Sequence, residues 1–256
     1  MTTVDLHHEI EGPPGAAPVI LSGSLGTTLA MWGPQRQALR GRTRLISVDL
    51  RGHGGSPAPP GPYSIADLGG DALALMDRLG VERVSWCGLS LGGMVGQWLA
   101  INAPRRIDRL ILISTSAHLP PPENWLARAA TVRAAGACEP VADTVLGRWF
   151  TEPYAREHPE TIAGVRRMIV ATSAEGYAGC CEAISELDLR GGLQAIAAPT
   201  LVVAGRQDPS TLLEHMEAIA AAIPGARLEV LDPGAHLLSV ERAAEVTELI
   251  GSHLER

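Results

Sequence analysis

The run from Val84 to Gly93, Val-Ser-Trp-Cys-Gly-Leu-Ser-Leu-Gly-Gly, constrains this chain more than any other stretch, because it turns a strand into a helix across a single serine. Val84 to Cys87 is a short apolar run suited to a buried strand. Met94 to Asn102 places Met94, Val95, Trp98, Leu99 and Ile101 at helical spacing. Between them, Gly88 and Gly92 flank Ser90 as in a nucleophile elbow. There the serine occupies a strained turn, its hydroxyl emerges at the carboxyl edge of a parallel sheet, and small neighbours admit close backbone contact. The five-residue pattern alone also occurs in ordinary loops, so its strand, turn and helix setting is what gives it weight.

The alternation continues on both sides. Val4 to Ile10 reads as an edge strand, and Pro18 to Leu21, Arg44 to Val48, Arg109 to Ser114, Pro199 to Gly205 and Arg227 to Leu231 read as further strands. Helical patterns cover Trp32 to Leu39, Ile65 to Leu79 (capped by Ser64 and closed by Gly80), Thr211 to Ile223 and Val240 to Leu254. Strand and helix in turn predict an α/β fold, a mostly parallel sheet flanked by helices. From Pro120 to about Gly192 strand patterns vanish. Helical patterns take over at Trp125 to Ala135, Val141 to Phe150, Thr161 to Thr172 and Ala174 to Ile184. The expected organisation is a core over residues 1–119 and 193–256 with an all-helical lid at 120–192. That stretch holds Trp125, Trp149, Phe150, Tyr154 and Tyr177, aromatics suited to closing an apolar pocket.

Composition excludes several classes. With 256 residues and 46% hydrophobic content the chain is sized for one enzyme-like unit. A net charge of -7 without a basic stripe argues against nucleic acid as a partner. No apolar run reaches the ~18 residues of a membrane span, and Met1 to Glu11 lacks a signal-peptide pattern, so a cytoplasmic protein is expected. Cys87, Cys138, Cys180 and Cys181 lack metal-type spacing and read as free buried thiols. Gly88 to Gly93 has neither the lysine of a phosphate loop nor dinucleotide spacing.

Three residues fall at predicted strand ends: Ser90, Asp208 and His236, in that order. Ligands of open parallel sheets bind at that edge, and nucleophile, acid, histidine is the chain order of the alpha/beta-hydrolase triad. A serine hydroxyl is un-ionised at neutral pH. An imidazole must therefore take its proton, and a carboxylate must fix the imidazole tautomer. Ser90 is thus expected to attack, His236 to shuttle the proton and Asp208 to orient it. Because His236 must be unprotonated to act, kcat/KM is expected to fall at acid pH. The oxyanion needs two backbone N–H donors, one from Leu91 and the other from the Ser22 to Leu25 loop, with Ser24 first and Leu25 second. His53, in the Gly/Ser turn from Asp49 to Pro57, reads as a structural histidine. Asp49 and Asp232 compete with Asp208 for the acid role.

Ser22 to Thr28, Asp49 to Ser56, Gly88 to Gly93, Arg206 to Pro209 and Ala235 to Leu237 together resemble the 3-oxoadipate enol-lactonases of the alpha/beta-hydrolase superfamily. The likeness spans nearly the whole chain. Within the superfamily it rests on the Ser24-Leu25-Gly26-Thr27-Thr28 loop and on lid segments around Arg133, Arg148 to Phe150 and Glu175 to Cys181. One departure is Ser22-Gly23, where many members carry His-Gly. The resemblance implies an acyl-enzyme hydrolysis of 3-oxoadipate enol-lactone to 3-oxoadipate in protocatechuate and catechol catabolism, with no metal or cofactor. The substrate would be a small anionic lactone, which calls for a cation in the pocket, and arginine suits a carboxylate best. The lid is rich in arginine and has no lysine. Arg133 is the first expectation and Arg128 the second, with Trp149 as a pocket wall. The alternatives are a general carboxylesterase or perhydrolase, and a non-catalytic receptor, which would require an idle triad.

Overall fold

In the computed structural model, which describes residues 3–255, the strands β1 (His8–Glu11), β2 (Pro18–Ser22), β3 (Arg44–Val48), β4 (Val84–Leu89), β5 (Ile107–Ile113), β6 (Thr200–Gly205) and β7 (Arg227–Leu231) form one sheet. Its order is β1-β3-β2-β4-β5-β6-β7. All pairings are parallel except β1 with β3. Every residue of β4 and β6 is buried, as expected of strands covered on both faces. Each large apolar side chain buried in the sheet, such as Ile20, Leu21 or Leu112, contributes about 1.5–3 kcal/mol. The chain moves outward from β2 to β3, then returns to place β4 on the other side of β2. That reversal opens a crevice beyond the carboxyl ends of β2 and β4, where an open α/β sheet binds its ligands.

Helices α1 (Gly33–Leu39), α2 (Ile65–Arg78) and α3 (Leu91–Asn102) join the first strands. Ser64 and Asp67 form a reciprocal capping box at the start of α2, which fixes where that helix begins. Between β5 and β6 lie α4 (Pro122–Ala135), α5 (Glu139–Leu146), α6 (Glu152–Glu157), α7 (Pro159–Ala171) and α8 (Ala174–Ser185). The only β pairing there among the described residues is the isolated bridge of His118 with Asp188. Helices α9 (Leu213–Ala222), α10 (Leu238–Glu241) and α11 (Ala243–Leu254) complete the chain. No helix of the described residues is long and apolar enough to cross a membrane. The four cysteines are free and buried, and burial pushes the Cys138 and Cys181 thiols up to about 11 and about 12.

Two contacts between the helical layer and the core are especially close. On one side Gly52, in the turn after β3, touches Gly176 of α8 so closely that a Cβ on Gly52 would lie 2.3 Å from the Gly176 Cα. On the other, Leu237 N–H donates to the Trp149 carbonyl at 2.9 Å. Three sequence expectations are corrected. The first strand is only His8–Glu11. The helix expected through Phe150 ends at Leu146, and a further helix, α6, follows. The C-terminal helix starts at Leu238 and breaks at Arg242. The second arises because the Trp149 carbonyl and the Thr151 N–H are spent on Leu237 and Glu241 rather than on a continuing helix.

Candidate active site

Ser90 follows β4 directly with φ 55° and ψ -115°, in the left-handed half of conformational space that a residue with a Cβ rarely occupies. The strain is held by its surroundings. A Cβ on Gly88 would lie 2.2 Å from the Gly92 carbonyl oxygen, and one on Gly92 would lie 2.3 Å from that of Ser22, so neither position admits a larger residue. Trp86 Nε1 donates to the Gly92 carbonyl (2.8 Å) and Thr115 Oγ1 donates to that of Ser90 (2.7 Å), tying the turn to strand and loop.

Asp208, three residues beyond β6, and His236, five beyond β7, meet at 2.7 Å between Oδ2 and Nδ1. Both are buried. Asp208 also accepts from Ser210 N–H (2.7 Å), Thr211 N–H (3.1 Å) and Thr211 Oγ1 (2.6 Å). Burial works to raise its pKa, but His236, the Thr211 hydroxyl and the Ser210 amide together outweigh it and hold the carboxyl below its ordinary value. With Nδ1 committed to Asp208, the Nε2 of His236 is left for proton transfer. Ser90 and His236 line one cavity with Ser24, Leu25, Met94, Thr211, Trp149 and Tyr177. No hydrogen bond joins Ser90 to the ring, whose partners among the described residues are Asp208 and Thr211. The cavity has a volume of about 70 Å³.

Leu91 is the first residue of α3, so its N–H has no intrahelical acceptor. The amides of Ser24 and Leu25 also lack a partner among the described residues. The next amide, Gly26 N–H, donates to His53 Nε2 at 2.8 Å, while His53 Nδ1 contacts the Arg51 carbonyl at 3.0 Å. Burial lowers the His53 pKa, which keeps Nε2 free to accept. This ring therefore supports the loop opposite Ser90. Asp49 holds other loops, accepting from Leu29 and Gly55 amides and contacting His7, and Asp232 binds Arg206 and Gln207.

The expectation for Arg133 is corrected. Its guanidinium is bound to Glu175 and Glu182 on the outer side of α8 and does not line the cavity. Arg128 does line it, half-buried, with its guanidinium 4.7 Å over the Trp125 ring. So does Arg148, at an exposed position. Neither has an ion-pair partner among the described residues. Trp149 lines the cavity with its ring 6.2 Å from that of His236.

Sequence reasoning missed Glu241. This buried carboxylate accepts from Ala235 N–H (2.8 Å), next to His236, and from both N–H (3.0 Å) and hydroxyl of Thr151, two residues after Trp149. It joins the histidine turn to the helical layer. A glutamate within a helical pattern gives no signal of that role. Among the described residues no group of three or more His, Cys, Asp or Glu side chains is placed to hold a metal ion.

Comparisons with known proteins bear on the family and the fold. The family model of the alpha/beta hydrolase fold matches residues 17–243. The chain is 39% identical to 3-oxoadipate enol-lactonase 2 of Acinetobacter baylyi, over 99% of this chain and 94% of that protein. It is 32% identical to the putative carbamate hydrolase RutD of a Caulobacter species, over 93% and 91%. The crystal structure of the enol-lactonase from Burkholderia xenovorans superposes with a TM-score of 0.96 at 42% identity, covering 99% of this chain and 97% of that one.

Proposed function

The chain belongs to the alpha/beta hydrolases and, within them, to the 3-oxoadipate enol-lactonase family; on that premise we propose that this hydrolase opens 3-oxoadipate enol-lactone by a Ser90-His236-Asp208 triad. The observation that carries the reading is the cavity itself. It joins a strained serine and an aspartate-bound histidine to a half-buried arginine that has no ion-pair partner among the described residues.

In this reading Ser90 Oγ attacks the lactone carbonyl carbon as His236 Nε2 takes its proton, and Asp208 stabilises the imidazolium through Nδ1–H. The N–H groups of Leu91 and of Leu25 or Ser24 hold the oxyanion; each such donor is worth about 2.7–4 kcal/mol in related sites. Collapse breaks the ring C–O bond, and the released enol oxygen takes the proton from His236. The enol then becomes a ketone, which makes ring opening hard to reverse. A water, deprotonated by His236, attacks the acyl carbon and frees Ser90, giving 3-oxoadipate. Arg128 holds the carboxylate arm in the cavity, with Arg148 at the mouth, and Trp149 forms a wall. Helices α4 to α8 serve as the cap over this site. An enzyme of this kind occupies the protocatechuate and catechol branches of aromatic breakdown.

A second reading, hydrolysis of a small carbamate, has support in the RutD relative, which matches this chain over nearly its full length. The two separate in one assay. Loss of the lactone's ultraviolet absorbance with purified protein is expected, falling at least about 10⁴-fold in Ser90→Ala. In the same assay Arg128→Ala should raise KM about 10-fold or more, whereas Arg133→Ala should leave KM unchanged. An unchanged lactone beside turnover of a carbamate would reverse the order of the readings.

A further inference from the structure

Tyr177 of α8 is fully buried, yet it lines the same cavity as Ser90, His236 and Arg128. Its ring lies against the loop that carries Ser24 and Leu25; a Cβ on Gly26 would sit 3.3 Å from its Cε2. Its hydroxyl finds no acceptor for its proton among the described residues: the polar group beside it is the Arg128 guanidinium, which can only donate to it. Buried hydroxyls are normally satisfied, and one left without an acceptor destabilises the fold that contains it. Arg128 is the cation beside it, partly offsetting the burial that pushes the phenol upward. A guanidinium has no acceptor, however, so the hydroxyl proton remains unspent. Phenylalanine would fill the same space without the cost. A tyrosine here is explained by a ligand that supplies the missing acceptor.

We propose that Tyr177 is a specificity-determining residue whose hydroxyl donates to the substrate carboxylate held by Arg128, so that the cavity selects anionic over neutral acyl compounds. A carboxylate has two oxygens to share between two donors, and a hydrogen bond to an ion is about twice as strong as one to a neutral group. A neutral ester at the same place would gain much less. The selection is built from one charged and one uncharged donor, and it completes the hydrogen bonding of Tyr177 only when substrate is bound. The proposal rests on the lactonase reading for its natural substrate, but not for its test.

The test is Tyr177→Phe, examined in two ways. Adipate, a linear dicarboxylate, should raise the Tm of the wild-type protein clearly and that of the variant much less. The Tm of the ligand-free variant should equal or exceed that of the wild type, since an unsatisfied hydroxyl has been removed. On the enol-lactone, kcat/KM should fall about 10- to 100-fold, mainly through KM. Equal adipate shifts in the two proteins, no shift in either, or a lower Tm for the empty variant would overturn the proposal. A Tyr177-dependent adipate shift in a protein that does not open the lactone would leave the carboxylate subsite standing and remove the substrate reading instead.

Discussion

Two aspartate-histidine pairs of the same 2.7 Å length stand at strand ends of this sheet, Asp208 with His236 and Asp49 with His7. Both carboxylates are buried. Asp208 is held by its own turn, taking bonds from residues two and three positions on, and then reaches one distant group, the ring of His236. Asp49 does the reverse. Its partners Gly55, Leu29 and His7 lie 6, 20 and 42 residues away, so it fastens three segments together. The rings differ too: His236 is buried in the wall of the cavity that holds Ser90, whereas the His7 side chain is 44% exposed. Contact length therefore carries no information about role. What the second ring nitrogen faces, and whether the acid is free to serve one ring, does.

The sharpest way to break the comparison is to neutralise each pair. His236→Gln should lower kcat by about 10⁴-fold or more, and His7→Gln should change it less than about 2-fold. Comparable losses in both would mean the base has been assigned to the wrong pair. Next in size, Asp49→Ala leaves the Leu29 and Gly55 amides without their acceptor and should cost about 2–3 kcal/mol, lowering Tm by about 4–10 °C with little change in kcat. Asp208→Asn should show the opposite balance, with kcat down about 10⁴-fold and Tm nearly kept. A third histidine gives the smallest effect. His53 has a lowered pKa in the folded protein, so as pH falls below about 6.5 the unfolded chain takes up a proton that the folded one refuses, and stability declines. The Tm of the wild type should fall between pH 6.5 and 5 more steeply than that of His53→Gln, whose side-chain oxygen can still accept from Gly26. Parallel slopes would deny His53 this part.

Much of this was legible in the sequence for physical reasons. Strands buried on both faces must be apolar throughout, and the turns after β4, β6 and β7 had to carry Ser90, Asp208 and His236 if they carried chemistry at all. Arg133 misled because abundance says nothing of direction. On a helix, Arg128 and Arg133 lie about 140° apart, and only Arg128 shares a face with Trp125, three residues earlier. Glu175 and Glu182, seven apart on α8, were the signal that Arg133 already had partners. The break after Leu146 was invisible because its cause is remote, in the backbone of Leu237 and the side chain of Glu241. The unspent hydroxyl proton of Tyr177 belongs to the same class, since satisfaction of a polar group is a property of the folded neighbourhood.

The contact between Gly52 and Gly176 also limits how this protein can change. Each of the two positions is closed to a side chain by the backbone of the other. A different cap could not be spliced onto this core at will, nor this cap onto a relative's core, unless both partners in the contact travelled together. Divergence in substrate range would then proceed by replacing cavity-facing residues on α4 and α8 one at a time.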